Sequence, residues 1–79
     1  QRGFLVADLA ALPDALRLRV LRAAALASGV PAGELALVHL DALDEQVHQR
    51  QHLPKQVQLP GHVSAVREGA VLRFTRTAG

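Results

Sequence analysis

Seventy-nine residues, a formal charge of +2 and no cysteine bound this chain before any motif is read. The length fits one domain and leaves no room for a second, and the missing thiols exclude disulfide scaffolds and thiolate zinc sites. Hydrophobic residues make up 49%, too many for a disordered chain, yet no run reaches the roughly 18 apolar residues of a membrane span.

The apolar set is Ala 14, Leu 14, Val 9 and Phe 2, without Trp, Tyr or Met. The core is therefore aliphatic, and aromatic platforms for single-stranded nucleic acid are almost absent. The opening Gln1-Arg2-Gly3-Phe4 has neither a start methionine nor a signal-peptide pattern, so the sequence reads as an internal piece of a longer protein.

Upstream of the first long element, Asp8 is positioned to cap a short turn over 9–12. Residues 13–28 then predict a helix. Pro13 suits its start, Asp14 favours the dipole in the first turn, and Gly29 followed by Pro31 stops it. At ~100° per residue, Leu16, Val20, Ala23, Ala24 and Ala27 form its core face, with Arg17 on the solvent side and Arg22 and Arg19 further round. Leu18, Leu21 and Leu26 fall outside that face. A helix apolar nearly all round is covered on more than one side, so these three leucines are candidates for an interface.

Residues 33–50 predict a second helix with a stripe at Ala36, Leu40, Leu43 and Val47. No Ser, Thr, Asp or Asn caps it, and Gly33-Glu34 is the best start on offer. After Pro54 the period changes to 2. Val57 and Leu59 alternate with glutamines, Pro60-Gly61 marks a turn, and 62–67 and 70–76 predict a hairpin around Glu68-Gly69, or a three-residue loop that includes Ala70. Pairing Val63 with Phe74 and Ala65 with Leu72 puts all four on one face. The expected fold is a small α+β domain over 1–79: two main helices (helical part about 5–52) packed with a C-terminal β-hairpin or sheet (about 56–76).

Charge is banded. Residues 1–32 sum to +2, 33–52 to −3 and 53–79 to +3. A polyanion would meet the two basic bands, with the acidic band turned away. Candidate RNA-binding residues are Arg17, Arg19 and Arg22 in the first band and Lys55, Arg67 and Arg73 in the third. Guanidinium groups suit phosphate because their planar fork donates bidentately.

Other chemistry is thinly represented. The six glycines show no Walker or dinucleotide spacing, and neither Ser28 nor Ser64 sits in a nucleophile elbow. Asp44, His48 and His52, four apart, make a metal-ligand alternative on a continuing helix, against a solvated polar face. His39 reads as a packed, hydrogen-bonded histidine. A helix-turn-helix is disfavoured, since the would-be recognition helix lies in the −3 band.

Several ordered stretches carry a resemblance. Leu12-Pro13-Asp14-Ala15-Leu16-Arg17-Leu18-Arg19-Val20-Leu21-Arg22 is similar to the opening of a domain in the tRNA(Ile)-lysidine synthetase (TilS, or MesJ cell-cycle protein) family. So are Gly29-Val30-Pro31, His39, Asp44, Val57-Gln58-Leu59-Pro60-Gly61 and Val66 to Phe74. Where many relatives have Trp-His-Gly-Gln-Gly, this chain reads Gln51-His52-Leu53-Pro54-Lys55.

The resemblance implies a cytoplasmic, ATP-dependent C–N ligase that attaches lysine to the anticodon cytidine of an isoleucine tRNA. Its catalytic domain, with ATP and Mg, carries a Ser-Gly-Gly-x-Asp-Ser loop that is missing here. This piece corresponds to the substrate-binding domain, is not expected to be catalytic alone, and holds no cofactor of its own. The implied partners are tRNA and the N-terminal catalytic domain of the same chain, with no membrane contact. Carried over, Arg17, Arg19 and Arg22 are its RNA-facing or interdomain positions. The alternative is a protein-interaction or homodimerisation module acting through Leu18, Leu21 and Leu26.

Overall fold

In a computed structural model, which describes residues 2–48 and 55–77, the chain runs β1 (Arg2–Leu5), α1 (Val6–Ala10), α2 (Asp14–Ala27), a 3-10 turn (Ala32–Glu34), α3 (Leu37–His48), β2 (Lys55–Leu59), β3 (Val63–Glu68) and β4 (Val71–Arg76). The strands form one antiparallel sheet in the order β1-β4-β3-β2. The α+β class follows from the periods: 3.6 through the Leu/Ala segments, 2 from Val57 onward.

Register sorts the sheet into two faces. Phe4, Leu72, Phe74, Val63, Ala65, Val57 and Leu59 are matched across the strands and point to the helices. Val63, Ala65, Leu72 and Phe74 are fully buried, as the alternation predicts. Burying a side chain of Leu or Phe size contributes on the order of 1.5–3 kcal/mol, and Phe4 meets Phe74 edge to face with ring centroids 6.0 Å apart. The opposite face carries Gln56, Gln58, Ser64, Arg73 and Thr75. There the Ser64 hydroxyl accepts from Gln56 and donates to Gln58.

The hairpin pairing differs from the expected one by two residues: Ala65 faces Phe74 and Val63 faces Arg76. The loop is Gly69-Ala70, with Gly69 at φ +60 in the first central position, as a type II′ turn requires. A slip of two keeps every side chain on its face, so the core assignment survives the register error. β1 lies outside the strands that alternation predicts. Four residues ahead of a helix give too short an alternation to register, and the strand exists because β4 offers it a free edge.

α2 corrects the helical phase. Leu16 is 45% exposed, Ala23 and Ala27 are exposed, and the buried positions are Arg17, Leu21, Ala24 and Ala25. The helix is turned by about one residue, roughly 100°, from the face that its apolar letters suggest. Leu21, a candidate interface residue, is therefore core (1% exposed), and Leu18 is half-buried and packs on the same cluster. The C-terminus closes as a Schellman motif. Val30 N–H donates to Ala25 O, Gly29 N–H to Leu26 O, and Gly29 takes φ +112.

α1 starts at Val6, so Asp8 lies in its first turn and is not its cap. α3 starts four residues later than expected, after the 3-10 turn. Its missing cap is supplied by His39, whose Nδ1 accepts the Ala36 N–H at 2.9 Å. A side chain at the third helical position reaching back to the residue before the helix is half of a capping box. Leu43 and Val47 are buried and Leu40 is half-buried, as the stripe predicts, while Ala36 is exposed. Gln46, unmarked by sequence, is fully buried and donates to Ala65 O, tying α3 to the sheet.

Candidate nucleic-acid interface

The six candidate basic residues separate by what already holds them. Arg17 is only 3% exposed. Its Nε donates to Asp44 Oδ1 at 2.5 Å, its Nη2 to Asp14 Oδ1 at 2.6 Å and its Nη1 to Leu12 O at 2.8 Å. The Asp44 hydrogen bond first, then that of Asp14, raises the Arg17 pKa above its ordinary value against the opposing effect of burial. Its donors join α2 to α3, so the solvent-side placement is corrected: three neighbouring acceptors satisfy the guanidinium in place.

Arg67 is also engaged. It emerges from the inner face of β3, and its Nη1 donates to Gln46 O at 2.6 Å, among the last carbonyls of α3. Its Nε reaches Gly69 O at 3.1 Å. Helix ends leave carbonyls without intrahelical partners, and a cation there also complements the dipole. Arg73 sits on the other sheet face and pairs with Glu68 at 2.7 Å, both side chains well exposed. The side chain of Lys55 lies outside the described residues.

Arg19 and Arg22 remain. Both are exposed on α2, and among the described residues neither has a hydrogen bond or ion pair. Arg17 marks the flank of α2 that faces α3. At about 100° per residue, Arg19 stands ~160° from it and Arg22 ~140°. The two guanidiniums thus project away from the flank of α2 that meets Asp44 of α3. Side chains three apart on a helix are neighbours, so the pair presents adjacent bidentate donors to one anionic partner.

The metal alternative loses a ligand. The Asp44 carboxylate is bound to Arg17, and His48 Nδ1 lies 2.9 Å from the Asp44 backbone oxygen. His52 lies outside the described residues, as do the other residues from 49 to 54. Among the described residues no group of three His, Cys, Asp or Glu side chains is placed to hold a metal.

The exposed apolar residues are elsewhere than expected. Leu37 and Val38, at the start of α3, are 66% and 68% exposed, and Leu5 and Leu16 are also open. Leu26 of the expected interface set is half-buried. Charge letters at 17 and apolar letters at 16 pull sequence reasoning to the wrong side of α2. The signal that resolves it is the pairing of Arg17 with Asp14 three residues earlier and with an acid on the next helix.

Comparison with known proteins identifies the family. A family model described as the TilS substrate binding domain matches residues 4–74, from β1 to β4. The tRNA(Ile)-lysidine synthase of Thermobifida fusca is 49% identical over 55 residues, 70% of this chain and 17% of that protein. That of Streptomyces coelicolor is 40% identical over 70 residues, 89% of this chain and 20% of its own length. The chain thus spans about a fifth of the length of these curated relatives, and no solved structure matches it. With all three helices, β2, β3 and most of β1 and β4 inside the matched span, the chain belongs to the TilS substrate binding domain family.

Proposed function

We propose that this domain holds tRNA for a tRNA(Ile)-lysidine synthase, gripping the phosphate backbone through Arg19 and Arg22. The observation that carries it is that these two guanidiniums are exposed and, among the described residues, unpartnered, on the flank of α2 opposite the one that meets Asp44. The family match and the names of the relatives support a tRNA-binding domain of such a synthase. The aliphatic composition limits the contact to charge and hydrogen bonding at the backbone, with little base stacking. In this reading a catalytic domain of the same polypeptide supplies ATP and Mg chemistry on isoleucine tRNA in the cytoplasm, and this domain positions the substrate.

Binding of an isoleucine tRNA transcript to the full-length chain, measured against salt, tests the proposal. Each phosphate contact releases counterions and steepens the dependence of log affinity on log salt. Arg19→Gln with Arg22→Gln should lower that slope by about two and weaken binding. A slope unchanged in the double variant, or no binding to the wild-type chain at low salt, would overturn it.

Leu37 and Val38 favour a second reading, docking against another part of the protein or a second copy. Leu37→Glu with Val38→Glu should then impair synthase activity or alter mass in light scattering without changing the salt slope. If mass and activity both stay at wild-type values, docking at this shoulder is excluded.

A further inference from the structure

We propose that Arg76 completes a phosphate-binding ridge with Arg19 and Arg22, and that Gly29 is kept bare so that Arg76 can lie along it. The inference rests on the tRNA-holding role above and extends it to a residue on a different element.

Alternation along β4 puts Arg76 on the same face as Leu72 and Phe74, towards the helices. Its backbone is pinned by pairing with Val63 and by the Thr77 N–H to His62 O bond of 2.8 Å. From there the side chain runs over the end of α2. A Cβ built on Gly29 would stand 3.1 Å from Arg76 Cδ and 3.3 Å from Nε. That spacing is tight, and Gly29 at φ +112 is already in a conformation that favours glycine. The aliphatic stem thus rests on bare backbone while the residue stays exposed.

Arg76 does not spend its donors there. Arg67 fastens the end of α3 by donating to its carbonyls, whereas among the described residues Arg76 makes no hydrogen bond or ion pair. Gly29 lies seven residues beyond Arg22 and ten beyond Arg19. These are about two and three turns along one side of α2, so the three guanidiniums are spread over roughly 15 Å. The flank lies away from Asp44 of α3, which is held on the Arg17 side. A row of arginines on that scale, unpartnered among the described residues and on the side of α2 away from Asp44, fits successive phosphates of an RNA strand.

The test compares Arg76→Gln, Arg73→Gln and the Arg19→Gln/Arg22→Gln pair in the full-length chain, with an isoleucine tRNA transcript as probe. Arg76→Gln should lower the salt slope by about one and weaken binding about threefold to tenfold at low salt. Arg73→Gln, on the opposite sheet face, should match wild type, and Arg76→Lys, which keeps the charge, should retain the slope. A wild-type slope in Arg76→Gln beside a reduced slope in the Arg19/Arg22 pair would remove Arg76 from the ridge and leave the tRNA-holding role standing. If no variant changes the slope, that role itself fails. A lowered thermal midpoint with an unchanged slope would make Arg76 a packing residue and overturn the proposal.

Discussion

Arg17 Nε lies 2.5 Å from Asp44 Oδ1, a bond between helices across 27 positions of sequence. It joins the start of α2 to the later turns of α3, and Asp14 and Leu12 O complete the shell of the guanidinium. The residue that reads most readily as an RNA contact is thus a strut of the fold.

Removing it should unfold the domain more readily. Arg17→Ala leaves Asp44 and Leu12 O without their donor, and such orphaned groups cost more than the bond itself contributed. Thermal midpoints should fall clearly for Arg17→Ala and stay close to wild type for Arg19→Ala. The losses for Arg17→Ala and Asp44→Ala should combine to less than their sum, because they delete one interaction. The Arg17 pKa is raised on folding. Its contribution is therefore complete below the ordinary arginine value and is lost only as pH rises through the higher folded one. The gap between wild type and Arg17→Ala should stay constant from neutral to mildly alkaline pH, and a gap that closes there would refute the assignment.

Leucine substitutions separate core from surface on α2. Leu21 is 1% exposed and Leu16 45%. Leu21→Ala should lose about 2–5 kcal/mol through cavity formation, whereas Leu16→Ala should stay within about 0.5 kcal/mol. Denaturant midpoints decide between this phase and the one that sequence periodicity suggests, which predicts the reverse order. By the same argument, Leu21→Glu reports on folding and says nothing about docking.

Three glycine replacements should rank by geometry. Gly61 has φ +79, and an added Cβ would lie 2.8 Å from Pro31 Cδ and 2.9 Å from Gly29 O. Gly69 has φ +60 with open space around it, and Gly33 has open space and no positive φ. Gly69→Ala should lose about 1–2 kcal/mol for the left-handed backbone, and Gly61→Ala distinctly more. Gly33→Ala should be neutral or stabilising by about 0.4–1 kcal/mol. Equal losses at Gly61 and Gly69 in urea titrations would mean that the α2 linker does not press on the β2–β3 turn.

How far the sequence speaks depends on whether a residue acts through its neighbours in the chain or across it. Local rules place both long helices, the stop at Gly29 and the inward faces of β3 and β4, since periodicity and turn chemistry are short-range. They miss β1, whose only reason to be a strand is the edge of β4. They miss the phase of α2 because Arg17 counts as polar until Asp44 is brought beside it. The same holds for Arg76. The expected register leaves it at a frayed strand end, and only the pairing with Val63 carries it to Gly29.

Arg67 offers the clearest contrast between a structural cation and a binding one. Its Nη1 lies 2.6 Å from Gln46 O and its Nε 3.1 Å from Gly69 O, so one side chain closes the end of α3 and braces the β3–β4 turn. Arg67→Leu keeps much of the aliphatic packing and deletes these charge-assisted bonds, which are worth about 1.5–3 kcal/mol. Amide exchange should accelerate in the last turn of α3 and around Gly69 more than in α2, because the bonds lost are local to those segments. With temperature set well below the lowered midpoint, the tRNA salt slope should remain that of wild type, because this assignment gives the Arg67 guanidinium to the backbone carbonyls of Gln46 and Gly69. A slope reduced by about one with unchanged exchange at α3 would reverse the assignment and return Arg67 to the nucleic-acid interface.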